Sequence, residues 1–259
     1  MSTLLHLIAD YGTGDPAFAE VMQKLYSLKS DFQIIPTSVP KFSTIATGFW
    51  TSQLALVNPV SGMVIYTNTA PRKDNKEKRV QNEGEGLVFA ELDNGVKIIG
   101  VNAGYCFSFV KNHIKKFHTV QVANSGSQFR SRDFYPEAVA GILSSPESFI
   151  GTSIDLSSIP NVPDNRVAWI DGYGNMKTTS RVSQISFAPG QPVVISLNGM
   201  KRTAFFTDGT FSVREGELAF APGSSGAGDR CMEIFLRGLS AWIEFGKPDI
   251  ESEFTVSPV

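Results

Sequence analysis

Cysteine and histidine are scarce in this 259-residue sequence, and their scarcity limits the kinds of site that the chain can form. Its two cysteines, Cys106 and Cys231, form no CxxC motif and no Cys/His cluster. The three histidines, His6, His113 and His118, offer no pair of metal ligands at useful spacing. We therefore expect two reduced, partly buried thiols and no metal site.

The sequence also lacks an excess of positive charge and any long apolar run. Its formal net charge is −2, so no basic field exists that would attract a nucleic acid. The densest basic run, at 72–79, is interrupted by acidic and amide residues and is interpreted as a solvated loop. The chain has no stretch of about 18 apolar residues, so no membrane span is expected. Its first residues lack the basic start of a signal peptide, and we expect a first strand there and a cytoplasmic protein.

The first half of the chain alternates strand-like and helix-like segments. An apolar run at 4–9 ends at Asp10, and Asp15-Pro16 has the form of a helix start, with Asp as N-cap and Pro at the first helical position. Strands are predicted at 4–9, 32–35, 64–69, 86–92, 96–102 and 119–123, and helices from 16, at 44–57, around 110–117 and around 134–144. This alternation predicts an α/β domain over 1–150, with a mostly parallel sheet and helices on both of its faces.

The character of the sequence changes after about residue 144. Residues 144–164 are rich in Ser and Pro, which predicts a connector at 151–165. Beyond it the apolar runs are short and are separated by Gly, Asn, Asp and Pro. These runs lie at 167–170, 193–197, 203–206, 218–221, 232–236 and 241–245. The pattern predicts a smaller, C-terminal all-β domain over 166–259 that resembles a barrel.

Two carboxylates flank a glycine-containing loop after the first predicted strand, Asp10-Tyr11-Gly12-Thr13-Gly14-Asp15. In α/β sheets ligands bind at this end of the strands. The loop matches neither of the common phosphate-binding patterns, and carboxylates repel phosphate. They suit a sugar diol or a cationic group such as an ammonium. The alternative is that Asp15 only caps the next helix and Asp10 accepts hydrogen bonds from turn amides.

Three further segments carry groups suited to binding. The first is Asp171-Gly172-Tyr173-Gly174-Asn175, which can accept a cation, stack a base and hydrogen-bond its edge, although many ordinary hairpin turns look alike. The second is Gly223-Ser224-Ser225-Gly226, which either holds a carboxylate or is a flexible turn. The third is Phe129-Arg130-Ser131-Arg132-Asp133, which is either an anion site at a helix start or a capped helix with surface arginines.

Taken in order, these segments resemble the S-adenosylmethionine hydroxide adenosyltransferases, once called DUF62, which are related to the fluorinating and chlorinating enzymes that act on the same substrate. The resemblance spans nearly the whole chain. Its motifs are a [ST]-D-[FL]-G-[TS]-x-D-like stretch at 9–15, D-N-G at Asp93-Asn94-Gly95, F-x-[GS]-R-[DE] at 129–133, D-x-F-G-N at 171–175, and S-S-G at 224–226 with a later Gly-Ser pair at 238–240.

The resemblance implies an α/β domain, a β-barrel-like domain and a homotrimer with sites at subunit interfaces. It implies S-adenosylmethionine, a small nucleoside substrate, as the ligand, with no further cofactor. The roles that it carries over are Asp10 at the ribose hydroxyls, Phe42 beside the ribose, Asp15 and Asp171 at the methionine ammonium, Tyr173 and Phe211 on the faces of adenine, Asn175 at the adenine edge, and Ser224 with Ser225 at the methionine carboxylate.

The sequence departs from the family where the hydrolytic members carry an Asp-Arg-His set thought to prepare the attacking water. Ala70 stands in place of the Asp and Arg130 in place of the His, while Arg79 is the candidate for the Arg. The resemblance puts Arg130 and Ser131 on the nucleophile side. The halogenating relatives carry a Tyr where Ala70 stands, so halogenation is not favoured either.

Two functions remain open from the sequence. The first is hydrolysis of S-adenosylmethionine to adenosine and methionine, by attack of water or hydroxide at the ribose 5′-carbon. The second is a protein that binds S-adenosylmethionine or adenosine and has lost efficient catalysis, because a positioned base contributes roughly 10²–10⁴-fold to a rate. The intact binding segments support both functions equally, whereas Ala70 and Arg130 favour the second.

Overall fold

Two seven-stranded mixed sheets, accompanied by helices, form the framework of this computed structural model, which describes residues 2–72, 84–123 and 127–259. The chain divides into two units, one ending at Asn161 and the other running from Val162 to Val259. The division lies within the segment for which the sequence predicts a connector.

The N-terminal unit contains one of the two sheets. Its strands are β1 (Thr3–Ala9), β2 (Phe32–Ser38), β3 (Val64–Asn68), β4 (Leu87–Leu92), β5 (Lys97–Val101), β6 (Ile114–Val120) and β7 (Ile150–Ser153). Their order is β2-β1-β3-β5-β4-β6-β7. The first four strands of that order are mutually parallel, whereas β4, β6 and β7 join antiparallel.

The sheet is therefore mixed rather than mostly parallel, and the turn at Asp93-Asn94-Gly95 is the local cause. Gly95 adopts φ +84° and its N–H donates to the Leu92 carbonyl at 3.0 Å. An Asn-Gly pair favours the positive φ that tight hairpin turns require, so β5 returns directly alongside β4 instead of crossing over through a helix.

Helices accompany this sheet. They are α1 (Pro16–Leu28), α2 (Thr44–Leu56), α3 (Arg130–Asp133) and α4 (Tyr135–Ile142), with 3₁₀ helices at Ser108–His113, Pro146–Ser148 and Leu156–Ser158. Of these, α1, α2 and α4 lie close to predicted positions. Helix α1 contacts α3 and α4, whereas α2 contacts the 3₁₀ helix Ser108–His113. The connections through α1 and α2 run in opposite directions along the sheet, from β1 outward to β2 and from β2 back to β3.

The helix predicted around 110–117 is wrong, because that segment is a 3₁₀ turn followed by strand β6. In β6 the buried residues Ile114, Phe117 and Val120 are spaced three apart, which imitates a helical period. The register against β4 slips by one residue next to Ile114, and such a bulge breaks the strict alternation of a strand.

The C-terminal unit contains the second sheet. Its strands are β8 (Val167–Ile170), β9 (Met176–Arg181), β10 (Pro192–Leu197), β11 (Met200–Phe206), β12 (Leu218–Pro222), β13 (Cys231–Leu236) and β14 (Phe254–Pro258), in the order β14-β10-β11-β12-β13-β9-β8. Residues at the two edge strands are hydrogen-bonded to the opposite edge, since the Val167 N–H donates to Ser252 and the Phe254 N–H to Asn165. These bonds curl the sheet around an apolar core that includes Val193, Phe220 and Ile234.

The strand predicted at 241–245 is also wrong, because Ala241–Glu244 forms the short helix α5. The Ser240 hydroxyl accepts the Ile243 N–H at 3.2 Å, which is an N-cap. Ala241 and Phe245, four residues apart, are the fully buried positions, so the apolar period here is helical.

Two remaining features bear on the class of protein. No helix in the described part of the chain has both the length and the apolar character that crossing a bilayer requires. Both cysteines are buried, no disulfide joins them, and burial raises the pKa of Cys231.

Candidate functional site

Asp10 lies where three neighbouring parallel strands end. Strand β1 is flanked by β2 and β3, and Ala9 is level with Ser38 on one side and Asn68 on the other. The Asp10 carboxylate accepts the Phe42 N–H at 3.0 Å. Burial raises the pKa of Asp10 and outweighs the hydrogen bond from Phe42, which lowers it. The edge of the sheet therefore holds a partly buried carboxylate that is already fixed in orientation by one backbone donor.

Phe42 is held beside Asp10 in a left-handed backbone conformation. Its φ is +64°, which is unfavourable for an aromatic residue, and its side chain is 50% exposed. Strain of this kind persists only where surrounding structure imposes it, and it is concentrated at functional positions. The structure thus places in contact, through the Phe42 backbone, the two residues to which the resemblance gives ribose-binding roles.

Tyr11 links the loop at 10–15, after strand β1, to the segment that contains Arg130 and Ser131. Its hydroxyl donates to Ser131 Oγ at 2.6 Å and accepts from Asn68 Nδ2 at 3.2 Å, while Tyr66 donates to the Ser131 carbonyl at 3.0 Å. Burial raises the pKa of both tyrosines, so both stay protonated donors near neutral pH. We call Asp10, Tyr11, Asn68 and Ser131 the N-terminal polar cluster.

Tyr11 and Asn68 were not among the residues singled out from the sequence. Asn68 ends strand β3 next to Ala9, and that position at the carboxyl edge of the sheet was the available signal. Tyr11 follows Asp10 directly, but nothing local indicates that its hydroxyl reaches a residue 120 positions further along the chain.

Arg130, which the resemblance sets in place of a histidine, is held by contacts with neighbouring residues. Its guanidinium lies over the ring of Tyr135, 5.1 Å from the centroid, and donates to the Glu85 carbonyl at 3.4 Å. Its Nε is buried, and no described residue accepts a hydrogen bond from it. Ala70 follows strand β3 and is partly exposed, and Arg79 lies outside the described residues.

Asp15 has the structural role that the sequence offered as an alternative. Its carboxylate accepts the Ala17 N–H at 2.8 Å and caps helix α1, with Pro16 in the first turn. The carboxylate is also exposed, so its capping bond leaves a second oxygen open to solvent. The N-cap role alone explains why an aspartate stands at position 15.

The C-terminal unit contains a cavity of about 860 Å³, within the roughly 300–1,000 Å³ typical of small-molecule sites. Five residues proposed from the sequence as substrate-binding line this one cavity. They are Asp171, Tyr173, Asn175, Phe211 and Ser224. They come from the β8–β9 turn, from the segment between β11 and β12, and from the turn after β12, so folding collects them from separate parts of the unit.

Two aromatic rings dominate the accessible surface of this C-terminal cavity. Tyr173 is 83% exposed and Phe211 is 73% exposed. The turn that presents Tyr173 depends on Gly174, which adopts φ +83° and whose added Cβ would collide with Ser240. Large aromatic faces left uncovered beside a cavity are typical of ligand-binding surfaces.

Asp171 is held by three hydrogen-bond donors and lies beside one ammonium group. One carboxylate oxygen accepts the backbone N–H groups of Tyr173 and Asn175, at 2.9 and 3.1 Å. The other accepts Asn175 Nδ2 at 3.0 Å and lies 3.5 Å from Lys177 Nζ. Burial by itself raises the pKa of Asp171, but the Asn175 and Tyr173 hydrogen bonds and the Lys177 charge outweigh it and hold the pKa below the usual value.

Lys177 and Glu233 form an ion pair in the wall of the C-terminal cavity and were missed from the sequence. They face each other across β9 and β13, with Nζ 3.1 Å from Oε1, and their side chains are 15% and 7% exposed. The available signal was Glu233 itself, a lone acid within the apolar run Cys231–Leu236. Strand β9 was not predicted, so Lys177 had no assigned partner.

The Gly223-Ser224-Ser225 turn closes one side of the cavity. Ser224 lines the cavity and is exposed, whereas Ser225 is buried and its carbonyl accepts the Cys231 N–H at 2.8 Å. A Cβ on Gly223 would collide with the second Glu233 oxygen, so glycine here lets the carboxylate lie against the backbone. Ser225 therefore shapes the turn, and Ser224 is the hydroxyl that the cavity presents.

Among the described residues, no group of three or more His, Cys, Asp and Glu side chains is arranged to hold a metal ion. The polar atoms around the C-terminal cavity and in the N-terminal polar cluster are amide, hydroxyl, carboxylate and ammonium groups. Such groups recognise organic ligands through hydrogen bonds and charge.

Comparisons with known proteins establish the fold alone. No family model matches the chain, and no curated protein matches it. Among solved structures, an uncharacterized conserved protein from Thermotoga maritima matches with a TM-score of 0.77 and 15% identity, over 98% of this chain and 100% of that one. A conserved hypothetical protein from Thermus thermophilus matches with a TM-score of 0.68 and 17% identity, over 99% and 100%. This chain therefore shares its fold, over nearly all of its length, with proteins from both organisms.

Proposed function

We propose that this protein binds an adenosine-containing ligand and that the C-terminal cavity holds the adenine. The observation that carries the proposal is the set of residues around that cavity: two exposed aromatic rings above a hydrogen-bonding floor. A flat heteroaromatic base gains from stacking on such rings, by about 1–3 kcal/mol per base in nucleic-acid complexes. Tyr173 and Phe211 supply the stacking surface.

The edge of the base is recognised by Asn175. Its Nδ2 already donates to Asp171, so a ligand meets the Oδ1 atom, which accepts hydrogen bonds. An adenine exocyclic amine is a donor of the matching kind. Asn175 is buried and fixed by Asp171, so little side-chain freedom is lost when the ligand binds.

The ribose is recognised by Asp10 of the N-terminal polar cluster. One Asp10 oxygen accepts the Phe42 N–H, and the other is available to the two hydroxyls of a ribose diol. Phe42, strained and half exposed, supplies an apolar surface next to it. Phosphate is disfavoured here, because the dominant charge is a carboxylate.

S-Adenosylmethionine is the ligand that we propose, with hydrolysis to adenosine and methionine as the reaction. Water or hydroxide attacks the ribose 5′-carbon in line with the carbon–sulfur bond, whose electron pair leaves on the neutral thioether of methionine. The proton of the attacking water is released to solvent. Holding the two reactants in line supplies much of the acceleration in such a displacement.

The resemblance to S-adenosylmethionine hydroxide adenosyltransferases supplies the remaining parts of this proposal. We propose that the two units correspond to that family's α/β and barrel-like domains, and that the protein is a cytoplasmic homotrimer. In such a trimer the ribose and adenine residues would come from neighbouring subunits. The molecular mass in solution, measured by light scattering, tests the trimer.

A second function, ligand binding without efficient turnover, is favoured by specific contacts. Ala70 has no polar side-chain atom, and the Arg130 guanidinium is engaged by the Tyr135 ring and the Glu85 carbonyl. Ser131 Oγ is tied to Tyr11. None of these three side chains supplies the carboxylate or imidazole that would accept a proton from water, and the loss of a positioned base costs roughly 10²–10⁴-fold in rate.

One experiment distinguishes the two functions. Purified protein is incubated with S-adenosylmethionine, and adenosine is followed by chromatography, with Asp10→Ala as the site control. Adenosine release that Asp10→Ala abolishes supports the hydrolase, and tight binding without release supports the binding protein. Release that Asp10→Ala leaves unchanged excludes the proposed ribose site.

Binding is tested separately with adenosine in a calorimeter. Tyr173→Ala and Phe211→Ala are each expected to weaken binding by about tenfold or more, as loss of a stacking face predicts. Tyr26→Ala, at a 40% exposed tyrosine in helix α1 of the other unit, is the matched control and should change nothing. Equal affinities for all four proteins would exclude adenine binding in this cavity.

A further inference from the structure

The wall of the C-terminal cavity carries an alternating row of charges. Lys177 Nζ lies between two carboxylates, 3.1 Å from Glu233 Oε1 and 3.5 Å from Asp171 Oδ2. Arg230 also lines the cavity and is exposed. The two cations thus balance the two acids. The wall presents positive and negative groups close together and has no net charge.

Lys177 retains hydrogen-bonding capacity towards the cavity. An ammonium has three N–H donors, and among the described residues only Glu233 accepts a hydrogen bond from this one. Its side chain is 15% exposed, so the ammonium is shielded but reachable. A partly desolvated donor of this kind binds an anionic group more strongly than an exposed lysine does.

Stability alone does not explain the Lys177–Glu233 pair. The desolvation cost of an ion pair that is mostly buried offsets much of its attraction, so apolar residues at the same positions are often equally stable. Glu233 also interrupts strand β13, whose remaining residues are all apolar or cysteine. The pair faces a cavity, which points to recognition of a ligand group.

The alternating charges discriminate between ligand groups. A phosphate or a lone carboxylate meets Asp171 and Glu233, which repel it, and a lone cation meets Lys177 and Arg230. A zwitterion with its two charges a few ångströms apart satisfies both signs at once. Ser224 adds a neutral hydroxyl on the same wall.

We propose that Lys177 and Glu233 are specificity-determining residues that recognise an α-amino-acid group on the ligand. Lys177 binds the ligand's carboxylate, and Glu233, with Asp171, binds its ammonium. The inference rests on the proposed function, because it takes the adenine of the same ligand to lie on Tyr173 and Phe211. It assigns to Lys177 and Glu233 roles that the resemblance gives to Ser224 and Ser225 for the carboxylate and to Asp15 and Asp171 for the ammonium.

Three unreactive thioethers separate the two charges of the amino-acid group. S-Adenosylhomocysteine carries both, S-adenosyl-3-thiopropylamine lacks the carboxylate, and 5′-methylthioadenosine lacks the whole amino-acid group. The affinity of each is measured by calorimetry on the full chain. The unmodified protein is expected to bind S-adenosylhomocysteine about tenfold or more tightly than either of the others, the effect of one charge-assisted hydrogen bond.

Lys177→Met, which keeps the length of the side chain, is expected to bring the affinity for S-adenosylhomocysteine down to that for the amine and to leave methylthioadenosine unchanged. Lys177→Arg restores the preference, and Lys201→Met, at an exposed lysine of strand β11, leaves it intact. Glu233→Gln, which preserves shape, is expected to weaken binding of the two amine-bearing ligands only. Thermal unfolding of every variant checks that it is folded.

The outcomes separate this inference from the proposed function. If all three ligands bind the unmodified protein equally well, adenosine binding stands and amino-acid recognition is wrong. If Lys177→Met weakens all three ligands equally, the lysine only supports the shape of the cavity, and the inference is again wrong. If none of the three binds, the proposed function itself fails.

Discussion

The two units expose their polar groups in opposite ways. In the N-terminal polar cluster, Tyr11, Asn68 and Ser131 satisfy one another through hydrogen bonds, and the aromatic rings nearby pack edge to face. In the C-terminal cavity, Tyr173 and Phe211 are mostly exposed, above an ion pair and a tightly bonded carboxylate. Three side chains of the N-terminal polar cluster are thus linked by hydrogen bonds, whereas the C-terminal cavity has aromatic surface that is exposed to solvent.

This difference suggests that the N-terminal polar cluster holds residues in position, whereas the C-terminal cavity recognises the ligand. Tyr11, Asn68 and Ser131 hold one another in place beside Asp10, and a site requires such fixed positions of its supporting residues. Exposed aromatic faces contribute little to folding and much to binding. Substitutions in the N-terminal polar cluster should therefore change stability, and most substitutions in the cavity should change affinity. The ion pair within the cavity is the exception.

The largest effect on stability is expected for Glu233→Ala. Removing the carboxylate leaves Lys177 with only the 3.5 Å contact to Asp171, and the free energy of unfolding should fall by about 3 kcal/mol. The matched control is Glu91→Ala, which breaks an exposed pair with Lys116 and should cost less than about 1 kcal/mol. Urea unfolding measures both, and equal losses would contradict the special position of the buried pair.

The next largest effect is expected for Gly174→Ala in the turn that presents Tyr173. Its φ of +83° and the clash of the new Cβ with Ser240 should lower the free energy of unfolding by about 2 kcal/mol. Gly172→Ala, in the same turn but with open space around its Cβ, should stay within about 0.5 kcal/mol of the parent. A Gly172 loss as large as that at Gly174 would show that turn flexibility, rather than steric demand, is decisive.

Tyr11→Phe tests the internal completeness of the N-terminal polar cluster. Loss of the hydroxyl leaves Asn68 and Ser131 without their shared partner and should cost about 1–2 kcal/mol. Tyr26→Phe removes a hydroxyl from a partly exposed tyrosine and should cost almost nothing. Chemical denaturation compares the two, and an unchanged Tyr11→Phe protein would mean that water replaces the hydroxyl without penalty.

The smallest effects are expected from the two aspartates, and their pH dependence should have opposite signs. The pKa of Asp171 is lowered in the folded state, so its ionised form stabilises above the unfolded value near 3.9, and this stability is lost as pH falls. The pKa of Asp10 is raised by burial, so stability is lost as pH rises through the window above that value.

Asp171→Asn should therefore destabilise the protein at pH 7 and have little effect below the folded pKa. Asp10→Asn should slightly stabilise it at pH 7, with no gain near pH 3. Unfolding curves across this range provide the measurement. Parallel profiles for the two variants would show that burial does not dominate at Asp10.

Local sequence determined the elements and residues whose cause is local. Asp15-Pro16 starts a helix because a carboxylate cap and a fixed proline φ act within one turn. The Asp171–Asn175 segment forms a tight turn because an aspartate can accept two backbone donors that follow it. Most apolar runs form strands as predicted, because the spacing of apolar residues that indicates a strand extends over only a few positions.

Most errors in the predicted elements arose where the conformation of a segment depends on a strand that is distant in the sequence. The mixed order of the first sheet, the bulge that gave β6 a helical spacing and the missed strand β9 all depend on pairing with strands elsewhere in the chain. The α5 error differs, because the Ser240 cap was readable but short apolar runs are ambiguous between strand and helix.

The sequence by itself therefore determined which residue types stand at strand ends and turns, and so which side chains were worth considering. Only the tertiary structure decided that Tyr11 bonds to Ser131, that Lys177 faces Glu233 and that Tyr173 and Phe211 border one cavity. These relations join residues far apart along the chain. Their geometry is set by sheet register and by packing of the whole unit, which no local pattern specifies.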